Sequence, residues 1–135
     1  MKIYDSDSEL IISRKIHLHD YIMTQLTFDR IKNEMMIHLI SDGCTPYPKV
    51  LKFFNVVGFE MSSCDFWGSS PHIFDFEYVC HDKRSVLPSL HRLGQEYGTI
   101  DPFCKILDTL DYIETRFTFS SGDRLNIACE YIVVT

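Results

Sequence analysis

His17, His19 and Asp20 stand close together in the chain and belong to the residue types that bind transition metals. On an extended strand the two imidazoles would share a face and Asp20 would point away, so two ligands are aligned and no third is spaced to close the site. A turn capped by Asp20, with His19 satisfying a buried backbone group, accounts for the same residues. Cys64 with His72 or His81 offers the elements of a thiolate–imidazole pair, the minimum for nucleophilic catalysis. No basic residue flanks Cys64, however, and Asp65 beside it disfavours the thiolate. Glu114, Glu130, Asp75 and Glu77 could act as paired carboxylates in glycoside hydrolysis only if two of them faced one cleft, about 5–10 Å apart. The six glycines are scattered singly, so no phosphate-cradling or dinucleotide loop is present.

These residues support one catalytic or ligand-binding alternative: a small-molecule-binding or hydrolytic β-barrel with a pocket of His19, Asp20, Cys64 and His72. A different chemistry is suggested by Phe66 and Trp67, an aromatic pair on a segment with Gly68, two serines and Pro71. Aromatic side chains on such a loop are typical anchors for a protein partner. Asp65, Phe66, Trp67, Asp75 and Glu77 are therefore the candidate partner-binding residues, although inward folding of Phe66 and Trp67 would close the end of a sheet instead. No catalytic residue, metal or cofactor is expected.

Charge and composition narrow the classes. Thirteen Lys and Arg against nineteen Asp and Glu give a net charge of −6, which argues against a nucleic-acid backbone as partner and favours a partner with a basic patch. The five cysteines are dispersed, with no CxxC pair, as expected of reduced thiols in a cytoplasmic protein. The N-terminal residues lack the pattern of a signal peptide, and no apolar run has the length of a membrane span.

The elements that must position these residues are mostly strands. Phe117 and Phe119 alternate with Thr118, and after Ser120–Asp123 the same period of two continues through Leu125, Ile127, Cys129, Tyr131 and Val133. Ser-Ser-Gly-Asp between them suits a hairpin turn. A second hairpin is predicted from Tyr21–Asp29, with Ile22, Leu26 and Phe28 on one face, and Glu34–Ser41, with Met35, Ile37 and Leu39 on one face. Lys49 to Met61 reads as a strand with a bulge near Gly58, and His72 to Cys80 as a strand with Phe74, Phe76, Tyr78 and Cys80 on one face and Asp75 and Glu77 on the other. Leu10–Ile12 suits a short strand or an extended arm. One amphipathic helix is predicted over about 86–97, with Val86, Leu90, Leu93 and Tyr97 on one stripe, Ser85 as N-cap and Gly98 as stop. The expectation is one domain over residues 1–135, α+β and mainly β: an antiparallel curled sheet or partly open barrel of six to seven strands with that helix.

Leu18-His19-Asp20 before a hairpin, Phe74-Asp75-Phe76-Glu77-Tyr78, and the closing hairpin Ser121-Gly122-Asp123-Arg124-Leu125-Asn126-Ile127 together resemble small uncharacterised bacterial β-rich proteins. Some relatives of that kind look like immunity proteins of polymorphic toxin systems. The resemblance implies a non-catalytic, acidic, cytoplasmic protein that neutralises a cognate toxin by binding it. It assigns no catalytic residue. The leading expectation is thus a small protein-binding domain of immunity type that occludes a toxin or enzyme, with no nucleic acid or membrane involved. A homodimer paired through the edge of the final strand, which ends at Thr135, is the structural alternative.

Overall fold

The computed structural model describes residues 1–41, 43, 47–62, 72–97 and 111–135, with residues 93–97 as backbone only. Nine strands occur among them: β1 (Lys2–Ile3), β2 (Tyr21–Asp29), β3 (Glu34–Ser41), β4 (Pro48–Phe54), β5 (Gly58–Met61), β6 (Ile73–Tyr78), β7 (Ile113–Phe119), β8 (Arg124–Cys129) and β9 (Tyr131–Val134). They form two antiparallel sheets, a five-stranded one in the order β1-β9-β4-β3-β2 and a four-stranded one in the order β5-β8-β7-β6. One isolated bridge, Ile22–His72, joins them at one side, and the sheets do not close into a barrel.

At the other side the chain crosses between sheets twice, side by side. β4 pairs with β9 and β5 pairs with β8, so the β4–β5 and β8–β9 connections turn one shared corner. Asn55 takes a left-handed conformation there, with φ +51°, and its side-chain amide donates to the Glu130 carboxylate. Glu130 N–H donates to the Phe54 carbonyl at 3.0 Å, and Val57 N–H to the Ala128 carbonyl at 2.8 Å. These bonds occupy backbone groups that the break in the ladders would otherwise leave unpaired. Strands that change sheets at such a corner are a known way of packing two sheets on one core.

That core lies between the sheets. Met35, Ile37, Leu39, Leu51, Phe53 and Ile132 face Ile73, Phe76, Phe117, Phe119, Leu125 and Ile127, all buried. Phe117 is the meeting point: its ring lies 4.6 Å from that of Phe76 and, edge-on, 6.3 Å from that of Phe53. Such aromatic pairs add to the burial of their area.

Several local expectations are revised. The strand expected over Lys49–Met61 is broken by the corner into β4 and β5. Leu10–Ile12, expected as strand or arm, lies in a short helix, α1 (Glu9–Ile12), whose Ile11 seals one end of the core. A register shift between Met23 and Gln25 turns Leu26 and Phe28 towards the core but leaves Ile22, paired with Ile40, on the outside. A second shift, between Ile73 and Asp75, leaves Phe74 62% exposed, apart from Phe76. At Glu130 the alternation changes phase, so that Ile132 is buried and Tyr131 and Val133 face outward. Finally, β9 is not an edge: it lies between β1 and β4.

The helix α2 (Val86–Tyr97) matches the predicted span and packs on the outer face of the four-stranded sheet, over β5 and β8. Gly58 permits the approach: a Cβ there would lie 3.0 Å from Val86 Cγ1 and 3.1 Å from Leu90 Cδ1. Gly58→Val should therefore displace α2 and lower stability by about 1–3 kcal/mol, measured as a shift in urea midpoint at constant slope.

Candidate functional site

The described residues singled out from the sequence fall in several places, with His19 and Asp20 near His72. His19 Nδ1 lies 3.0 Å from Asp20 Oδ2, and the His17 and His19 rings stack at 6.0 Å, with Phe74 beside His19. The segment is a turn rather than the strand geometry considered above: Asp20 has φ +68°, and its N–H donates to the Ile73 carbonyl, one residue from His72. This group sits on the surface, with the His19 and Asp20 side chains 45% and 71% exposed. Among the described residues no three His, Cys, Asp or Glu side chains gather as a metal site. Cys64 and the aromatic loop Asp65, Phe66 and Trp67 lie outside the described residues.

His81, the other imidazole considered for Cys64, has its Nε2 3.3 Å from Asp5 Oδ2. Asp5 Oδ1 accepts from Arg84 Nη2 at 2.6 Å and from the Tyr78 hydroxyl at 2.8 Å. Burial, and then the Asp5 carboxylate, push the Tyr78 phenol above its usual range. The cluster fastens the N-terminal turn to β6 and the segment before α2.

Of the carboxylates considered for hydrolysis, Asp75 and Glu77 lie together, lining one cavity with Arg14 and Tyr78, and the others lie elsewhere. Glu130 holds the corner, and Asp75 and Glu77 lie on edge strand β6. Glu114 is fully buried beneath α2, where its two oxygens accept the Ser85 and Val86 N–H groups, each at 3.1 Å. A carboxylate at this position satisfies donors that the helix cannot bond internally and complements the positive end of its dipole. The expected cap, Ser85, instead accepts the Asn126 amide at 2.8 Å through its hydroxyl.

Four polar side chains lie in one row across the outer face of this sheet. Register places Glu60 opposite Asn126, Asn126 opposite Arg116, and Arg116 opposite Glu77, so the row crosses β5, β8, β7 and β6. Arg116 Nε donates to Asn126 Oδ1 at 3.0 Å, and its Nη1 lies 3.5 Å from Glu77 Oε1. Beside the row is a cavity of about 340 Å³ lined by Glu60, Ser62, Ser85, Arg116, Arg124 and Asn126. None of these residues is expected from the sequence to form a site; Ser85 reads there as a helix cap and Arg124 and Asn126 as part of the closing hairpin. Asn126, polar within the apolar run Leu125–Cys129, was the one local signal.

The five-stranded sheet has the opposite character. No described element packs on its outer face. One row there is Thr27, Met36, Lys52, Val133 and Lys2, and the next is Gln25, His38 and Val50. Met36, His38, Ile40, Val50, Lys52 and Val133 are all half-exposed. At one corner Tyr131 stacks on Phe54 at 4.7 Å and meets Tyr4 at 5.2 Å, with Lys2 Nζ 4.7 Å above its ring.

Two predictions follow from the groups buried against the four-stranded sheet. Glu114→Ala leaves two helix N–H groups without an acceptor and should cost about 2 kcal/mol or more in urea unfolding. Burial pushes the Cys129 thiol well above its ordinary value, with the Glu130 charge adding to the effect. The fold holds the neutral thiol, so that contribution is intact below about pH 9 and declines as pH rises, by about 1.4 kcal/mol per unit. Cys129→Ala should flatten that alkaline decline, and native-state iodoacetamide should modify exposed Cys80 while sparing Cys129.

No family model and no curated protein matches this chain.

Proposed function

We propose that this chain is a non-catalytic protein-binding domain, an inhibitor of immunity type that acts by covering a surface of its partner. The observation that carries the reading is the outer face of the five-stranded sheet, on which no described element packs. Five strands spaced about 4.8 Å apart make a face about 20 Å across, the scale of the centre of a standard interface. Half-exposed Met36, Ile40, Val50 and Val133 supply apolar area, and the stacked Tyr4, Tyr131 and Phe54 supply rigid aromatic surface.

Charge supports one class of occupant. In a chain of net charge −6, this face presents Lys2 and Lys52 with His38 between the apolar positions, and at its β2–β3 end Asp29 and Glu34 beside Arg30 and Lys32. A partner with an acidic surface patch is the complement, in place of the basic partner that net charge alone favours. The sheet is braced from behind by the aromatic core, so it would meet the partner as a preformed surface with little ordering cost.

Immobilised wild-type chain should recover such a partner from a lysate of the source organism. With that partner purified, Lys52→Glu should weaken binding about tenfold or more, and raised salt should weaken wild-type binding. Lys15→Ala, on the exposed segment after α1, should bind as wild type does. Equal affinity of Lys52→Glu and wild type, or recovery of no protein by wild type beyond that held by Lys52→Glu, overturns the reading.

A further inference from the structure

Glu60 and Arg124 line the same cavity with opposite charges and do not neutralise each other. Glu60 Oε1 is buried with no hydrogen-bond donor. Arg124 forms no ion pair among the described residues. Glu60 is opposite Asn126, two residues along β8 from Arg124, a diagonal relation of about 7–8 Å between strand positions. Ser62 Oγ accepts the Arg124 N–H at 2.8 Å, which ties the two backbones together at the mouth of the cavity.

The rest of the lining is already committed. Arg116 is balanced by Glu77 and bonded to Asn126, and the Asn126 amide is held by Ser85 and Glu114. Among the described residues, a buried acceptor without a donor, Glu60 Oε1, and a solvent-exposed cation without an anion, Arg124, are what remain. A buried polar group left in this condition costs free energy that a bound partner would return. A volume of about 340 Å³ lies at the lower end of ligand pockets, so the occupant is small.

We propose that this cavity binds a small zwitterion, its ammonium group against Glu60 and its carboxylate against Arg124. The site uses neither the residues nor the sheet of the protein-binding face, so either reading can fail without the other. Calorimetric titration with glycine, β-alanine, 4-aminobutyrate and 6-aminohexanoate varies the distance between the two charges while keeping the end groups constant. Affinity should peak at one chain length. Glu60→Gln and Arg124→Ala should each weaken that ligand at least about tenfold, the scale of one charge-assisted hydrogen bond. N-acetylation of the best ligand removes its ammonium without altering the protein and should abolish binding even if a variant folds poorly. Absence of binding by all four at about 10 mM, equal affinity along the series, or unchanged affinity of the acetylated ligand overturns the proposal.

Discussion

The corner at Asn55 and Glu130 is the constraint on which both sheets depend. Two neighbouring strands leave one sheet and enter the other together, and each must end its ladder without stranding backbone donors. Asn55 meets this by adopting a left-handed conformation, one of the few residue types that do so at modest cost, and by bonding Glu130 across the gap. Because β4–β5 and β8–β9 bend as a pair, the inner faces of the two sheets end up opposed. Phe53 from one and Phe117 from the other can then share a core.

The strand spans were readable to a useful degree because alternation is a local property. Tyr21–Asp29, Glu34–Ser41 and the helix over 86–97 have the bounds that their periodicity implies. What alternation cannot carry is a change of phase. The shift after Met23, the shift after Ile73 and the corner at Glu130 each move later side chains to the other face, which is why Ile22, Phe74 and Tyr131 are on the outside. Leu10–Ile12 failed for another reason: a run of three apolar residues has too few positions to separate a period of 2 from one of 3.6.

The polar row was less accessible still. Glu60, Glu77, Arg116 and Asn126 come from four strands, and only the register of three ladders brings them into line. Their pairing is a property of topology, so residue types and spacing contain almost none of it. Glu114 is a similar case. A glutamate between Ile113 and Thr115 looks like an outward-facing strand residue, and it does leave the core, but only to be buried again by a helix packed on the far side. The two outer faces consequently differ: one is roofed by a helix and crossed by a polar row, and on the other, apolar with lysines, no described element packs.

The placement of β9 bears on how the molecule is made. Residues Lys2 and Ile3 pair only with Val133 and Ile132 among the described strands. During synthesis β1 thus emerges long before its ladder neighbour, with some 130 positions between them. Hairpins such as β2–β3 close over a few residues and can form early, whereas this pairing carries the full entropy of a long loop. Until it forms, β4 too lacks its second neighbour. Vectorial synthesis therefore leaves a half-built sheet with an open hydrogen-bonding margin, the state in which such a protein is most exposed to aggregation and most in need of a chaperone.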